Sequence, residues 1–215
     1  MPSSAEPALT AYQPSVVTER LPKPRGSRLA AALLRLGGWE IVFDGLPARQ
    51  GVLIGYPHTS NWDFVLGMLT KWALGLQVSF WGKDSLFKIP LFGTWLRWLG
   101  GVPVDRSNSR GIVGAMVEHI KQAKAQDDFF WLALSPEGTR RYLTHWRTGF
   151  YQLARGADVP LGLVFFDYGR KRVGVSPFFR LTGNAQADMA AIEAAYAGVI
   201  GKRPQQAAPI QFKQG

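Results

Sequence analysis

The chain contains no cysteine. Disulfides, thiolate metal sites and cysteine nucleophiles are excluded together, and the composition is compatible with a reducing cytoplasm. Histidine is scarce as well. His58, His119 and His145 are far apart, and no HExxH pair is present, so the sequence offers no metal cluster. A long uncharged apolar run is also missing. The nearest stretch, Trp62 to Trp81, is interrupted by Asp63 and Lys71 and holds Gly67 and Gly75, which argues against a helical membrane span. The N-terminus lacks the basic-then-apolar order of a signal peptide. Acidic residues are the minority, 15 against 25 basic, and the resulting net charge of +10 implies an anionic partner. Nucleic acid, a phosphate-bearing small molecule and an anionic membrane face all qualify. Nucleic acid is the weakest of these. The basic residues are scattered apart from Arg170-Lys171-Arg172, with no zinc-finger spacing, RNP-like strand or long basic helix. The glycines at 37–38 and 100–101 form neither a Rossmann nor a Walker signature.

What is present fits one domain. A chain of 215 residues with 47% hydrophobic content can bury a full core. Loose structure is expected only at the ends: residues 1–26, with five prolines and the Gly26 break, and the polar tail 201–215. Between them, the candidate site residues described below fall in a domain spanning 27–200. Ser27 to Trp39 reads as an amphipathic helix with Leu29, Leu33 and Leu36 on one face and Arg28 and Arg35 at its margins. Such a helix either packs on the domain or lies in a lipid interface with its arginines on phosphates. Strand-like runs follow at 52–56, 77–81, 102–104, 129–134, 161–166 and 173–181. Helical patterns occupy 62–74, 108–125, 149–155 and 185–197, and one more over 86–99 is interrupted near Ile89-Pro90. The alternation predicts a single-domain layered α/β sandwich, with a mostly buried sheet flanked by helices.

Polar residues cluster just after the apolar runs. Val52-Leu53-Ile54-Gly55-Tyr56 leads to His58-Thr59-Ser60-Asn61-Trp62-Asp63. Five positions are about 500° of helical rotation, so a regular helix does not make His58 and Asp63 face each other. A loop entering a helix can do so, with the Asp63 carboxylate accepting the Nδ1 proton and leaving Nε2 free as a base. A bland alternative is a partly buried histidine beside an aspartate that serves only the helix dipole. Phe129 to Leu134 opens into Ser135-Pro136-Glu137-Gly138-Thr139-Arg140. There Arg140 can make a bidentate phosphate contact, and Glu137 can orient an acceptor or brace an arginine. A plain loop ion pair explains the same residues. Arg106, at the start of a helix, can hold phosphate jointly with free backbone N–H groups, or be an ordinary surface arginine. Ser60 suits a cap or turn better than a nucleophile's role.

His58-Thr59-Ser60-Asn61-Trp62-Asp63 resembles the histidine–four residues–aspartate block of the glycerolipid acyltransferase family, which includes bacterial lysophosphatidic acid acyltransferases. Gly101-Val102-Pro103-Val104-Asp105-Arg106 resembles the second block, Pro136-Glu137-Gly138-Thr139-Arg140 the third and Val159-Pro160 the fourth, in the family's order. Leu86-Phe87-Lys88-Ile89-Pro90-Leu91-Phe92-Gly93 is also family-like. These blocks cover residues 50 to 166. The resemblance implies O-acyl transfer, with a fatty acyl group passing from acyl-CoA or an acyl carrier protein thioester to a hydroxyl of a lysophospholipid or related phosphate-bearing acceptor. It implies His58 as general base oriented by Asp63, and acceptor binding by Arg106, Glu137, Gly138, Thr139 and Arg140. No metal and no tightly bound cofactor are implied, and the expected place is cytoplasmic, peripheral on the inner face of the cell membrane. Two rival readings remain at this point: acylation of a non-glycerolipid alcohol or amine, and a non-catalytic phospholipid-binding module on the same fold.

Overall fold

The structure, a computed structural model, describes residues 14–104 and 109–213. In order the chain forms β1 (Ser15–Val16), α1 (Arg28–Leu36), β2 (Glu40–Phe43), β3 (Gln50–Tyr56), α2 (Asn61–Leu74) and β4 (Val78–Lys83). Then come α3 (Asp84–Phe87), α4 (Phe92–Trp98), β5 (Gly101–Val104), α5 (Ser109–Ala125) and β6 (Phe130–Leu134). The chain continues through α6 (Gly149–Gly156), β7 (Leu161–Asp167), β8 (Arg172–Arg180) and α7 (Ala185–Ala195), then a 3-10 turn at Pro204–Gln206. The break foreseen at Ile89-Pro90 separates α3 from α4. Gly93 closes that corner, because a Cβ there would overlap the carbonyl of Phe87.

Among the described residues, the strands make one mixed sheet in the order β1-β8-β7-β3-β6-β4-β5, with β2 also on β8. This is the expected α/β sandwich. β3, β6, β7, β4 and β5 pair in parallel, and β7 turns back antiparallel into β8. A parallel arrangement brings the carboxyl ends of its strands to one edge. The loops after β3, β6 and β7 therefore meet there.

Successive residues of β3 point to opposite faces. Val52 and Ile54 join Ile120 of α5, Phe150 and Leu153 of α6 and Ile192 of α7 in the largest apolar cluster. Leu53 packs on the other side with Trp131 and Phe178, where Leu34 of α1 and Leu66 of α2 also close over Phe166 and Val173. Each fully buried side chain of this size contributes roughly 1.5–3 kcal/mol. Gly51 lets Trp131 lie flat on the sheet, since a Cβ would overlap its ring.

Three features lie beyond what the sequence reading settled. In α1 the packed residues are Ala30 and Leu34, so the row of Leu29, Leu33 and Leu36 faces solvent, with Leu29 71% and Leu36 85% exposed. The short strands β1 and β2 had no legible pattern. The ends expected to be loose make specific contacts: Val17 N–H donates to Phe178 O and Leu21 N–H to Leu46 O, while Trp146 N–H donates to Gln211 O and Ala208 is buried. Extended segments held by backbone bonds to distant partners need no periodicity of their own, so composition gives no sign of these contacts.

Candidate active site

His58 lies in the loop between β3 and α2, and Asp63 lies in the first turn of α2. Ser60 caps that helix, its Oγ accepting from Trp62 N–H at 3.2 Å. Asp63 completes the cap: its Oδ2 accepts from Ser60 N–H at 2.7 Å and from Thr59 N–H at 2.8 Å. These bonds satisfy donors that precede the helix and fold the loop back over its own first turn. The fold-back brings His58 Nδ1 to 3.5 Å from Asp63 Oδ2, the aspartate side chain fully buried and the imidazole 23% exposed. The helix-entry route thus creates the pairing that helical register alone would not, and the same aspartate serves both cap and histidine.

The second oxygen of Asp63 is held by a residue that sequence reading missed. Tyr168 O–H donates to Asp63 Oδ1 at 2.8 Å. Tyr168 follows β7 directly, so the rule that polar residues just beyond buried strands build the site would have found it. Its ring meets Trp39 edge-on at 5.0 Å between centroids. Burial alone would raise the Asp63 carboxyl, but hydrogen bonds from His58, Tyr168 and Ser60 outweigh it and hold the group below its ordinary range. Burial, with Asp63 as acceptor, pushes the Tyr168 phenol well above its usual value, so it stays a donor.

Glu137 arrives after β6 on the other side of His58. It is fully buried. Its Oε2 accepts from His58 N–H at 2.7 Å and its Oε1 from Ala208 N–H at 3.0 Å. Glu137, expected to orient an acceptor or brace an arginine, here places both oxygens on backbone donors. Its carboxyl is raised by burial, which exceeds the lowering effect of the Ala208 and His58 N–H groups.

The segment after α7 closes the arrangement. Arg203 N–H donates to Thr59 Oγ1 at 3.1 Å. With its amide nitrogen turned toward them, Gln206 donates to the carbonyls of Thr59 at 3.0 Å and Arg140 at 2.9 Å. Tyr56 O–H donates to Ala208 O at 3.0 Å, and Phe212 bridges to Trp146. The histidine loop and the Glu137–Arg140 loop are thereby strapped together by residues 201–212.

The other expected site residues divide. Gly138 sits at φ 64°, where the Arg147 side chain crosses it; a Cβ would come within 2.9 Å of Arg147 Nε. Thr139 Oγ1 accepts from Arg141 N–H in a local turn, at 3.3 Å. Arg140 is exposed at the rim. Arg106 lies outside the described residues. Of the remaining histidines, His119 meets Phe130 edge-on at 4.6 Å between ring centroids and His145 pairs with Thr144 Oγ1 at 3.0 Å. Among the described residues no three His, Cys, Asp or Glu side chains gather to hold a metal. Beside Tyr168, a cleft of about 240 Å³ is lined by Trp39, Trp62, Leu66, Tyr168 and Lys202, with the Lys202 ammonium 4.8 Å above the Trp62 ring.

A base held by an ionised, buried carboxylate can take a proton from a hydroxyl as that oxygen attacks a carbonyl. The family comparison agrees with acyl transfer. A protein-family model described as Acyltransferase matches residues 40–164. A solved structure, the 1-acyl-sn-glycerophosphate (LPA) acyltransferase PlsC from Thermotoga maritima, is similar with a TM-score of 0.51 and 18% sequence identity, covering 79% of this chain and 75% of that one. No curated protein matches the sequence.

Proposed function

The chain belongs to the acyltransferase family, and from that premise we propose that it carries a fatty acyl group from a thioester donor to a hydroxyl of a lysophospholipid or related phosphate-bearing acceptor. The donor is acyl-CoA or an acyl carrier protein thioester. The observation that carries this reading is the buried Asp63 carboxylate, with Oδ2 beside His58 Nδ1 and every other contact a backbone or tyrosine donor.

An alcohol ionises far above neutrality, so His58 Nε2 takes its proton while the C–O bond forms. The charge that develops on the imidazole is balanced by Asp63, which is already ionised and cannot drift because four donors face it. Collapse of the tetrahedral intermediate breaks the C–S bond, and the thiolate leaves with the proton that His58 holds. No acyl-enzyme is needed. Ser60 is committed to the helix cap. Arg140, together with Arg106, is proposed to face the acceptor phosphate, while Gly138 and Thr139 shape that loop. The aromatic cleft with Lys202 suits an amphiphilic part of a substrate.

Attachment to an anionic membrane surface belongs to the same proposal, at the inner face of the cell membrane. Among the described residues no helix is long and apolar enough to cross a membrane. The exposed Leu29, Leu33 and Leu36 with Arg28 and Arg35 on α1 suit an interfacial helix instead. The test of catalysis is a donor-by-acceptor matrix read by product mass. His58→Ala is expected to lose about two to four powers of ten in turnover with its fold intact; full activity in a well-folded variant would overturn the assignment.

A further inference from the structure

The crossover between β4 and β5 carries a dense set of exposed apolar side chains. Within α3, α4 and the corner joining them, Leu86, Ile89, Leu91, Phe92, Trp95 and Trp98 are all exposed, Leu91 by 87% and Trp98 by 75%. Solvent does not favour such a set, and a contiguous group of this kind marks an interaction surface. Leu91 stands at φ 62°, a backbone region that L residues with bulky side chains rarely adopt. Its place is nevertheless built in: Phe92 N–H donates to Pro90 O, Gly93 N–H to Ile89 O and Trp95 N–H to Leu91 O. The corner thus holds a leucine outward at its tip.

We propose that the α3–α4 corner is a second membrane-docking surface, in which Leu91 enters the acyl region of one leaflet and Trp95 and Trp98 lie at its polar boundary. Three observations select a bilayer as the occupant. Tryptophan has an apolar body and a polar N–H, and it suits the headgroup level. Lys83, Lys88 and Arg97 are exposed among these apolar side chains, Lys88 with its ammonium 3.0 Å from Asp84, and cations beside an exposed apolar set suit an anionic leaflet. The patch also continues toward the leucine face of α1. Ser27 N–H donates to Trp72 O, and Lys71 Nζ donates to Leu99 O at 2.6 Å, so the end of α2, with its exposed Trp72, stands between α1 and α4.

The placement has a catalytic use. β4 runs directly into α3 at the carboxyl edge of the sheet, the same edge that carries His58. A leaflet seated on this corner borders the active site, and a lipid substrate reaches it without crossing bulk water. The inference rests on the lipid-substrate reading above, but it can fail separately.

The absence of cysteine allows a single reporter. Leu91→Cys carrying an environment-sensitive NBD dye, in the full chain, is mixed with phosphatidylcholine vesicles containing a minority of phosphatidylglycerol. A blue shift and brightening are expected, with no change for the same dye at Gln122→Cys on α5. Sedimentation with the same vesicles should show Leu91→Asp/Trp98→Asp losing about tenfold or more in partition, a loss that low salt does not restore because it is apolar in origin. The loss in Arg28→Gln/Arg35→Gln should shrink at high salt, where wild-type electrostatic binding is screened as well. Transfer between short-chain, water-soluble substrates should stay at the wild-type rate in the Leu91/Trp98 variant, which shows that it is folded. An unchanged dye with vesicles, or partition within twofold of wild type, would overturn the proposal. So would a dye response to an acidic carrier protein or to rising protein concentration in place of vesicles. A wild-type chain that acylates no soluble acceptor but binds vesicles through this corner would defeat the catalytic reading and leave the surface standing.

Discussion

Two buried carboxylates hold His58, and they differ in every respect that matters for its chemistry. Asp63 meets the imidazole from five residues away, within one helix cap, and is surrounded by donors that keep it ionised. Glu137 meets the main chain of His58 from 79 residues away, shares itself with Ala208, and is biased by burial toward its neutral form. One carboxylate acts on the reacting ring and the other on the position of the backbone that bears it. The contrast separates charge control from placement, and it can be broken experimentally at either side.

The largest effect is expected from Asp63→Asn. The amide cannot balance an imidazolium, and its NH2 must face donors, so turnover should fall about two to three powers of ten when chemistry is limiting. Rapid-quench measurement of the chemical step decides the matter; unchanged turnover there would remove Asp63 from the mechanism.

Glu137→Gln should act first on stability. One of its two backbone donors then faces an amide N–H, a buried mismatch costing about 1–3 kcal/mol in urea unfolding. The pH dependence carries a sign. Because the folded group is raised above its unfolded value, its stabilising contribution is present below the ordinary glutamate range and is lost as pH rises through the raised value. That downward slope should disappear in Glu137→Gln. A variant as stable as wild type at every pH, yet catalytically dead, would make Glu137 a partner in chemistry and collapse the contrast.

A smaller change is expected for Tyr168→Phe, which removes the donor to Asp63 Oδ1. The depressed Asp63 contributes stability above the ordinary aspartate range, and that contribution is lost as pH falls through its lowered folded value. The phenylalanine variant forfeits part of it, so the difference in Tm should be widest near neutrality and narrow in acid. A difference that does not vary with pH would show Tyr168 to be packing only.

Gln206→Ala should have the mildest consequence. It releases the Thr59 and Arg140 carbonyls from their shared donor, and a few-fold rise in KM for the acceptor with little change in kcat is expected, on the scale of one net hydrogen bond, about 1 kcal/mol. A kcat loss comparable to that of Asp63→Asn would place the strap inside the catalytic machinery.

Local chemistry was readable in the residues themselves. The cap that begins α2 needs Ser60 and Asp63 at their spacing, and the apolar runs of β3, β6 and β7 announce buried strands by composition. The proline at 90 ends α3 whatever surrounds it. From these alone the chain determined a layered α/β sandwich, a histidine in the loop after an apolar strand and an aspartate able to turn toward it. The tertiary structure decided the remainder. Nothing near Glu137 in sequence reveals that its oxygens accept from the His58 and Ala208 N–H groups. Tyr168 acquires a role only when β7 lies beside β3. Residues 201–213 look like a tail because extended backbone satisfies itself through bonds to remote carbonyls and carboxylates, which leave no periodic trace. The direction of the leucine row on α1 followed the same logic: an amphipathic pattern shows that two faces differ, and only the packing of Leu34 against Phe166 and Val173 tells which one the fold covers.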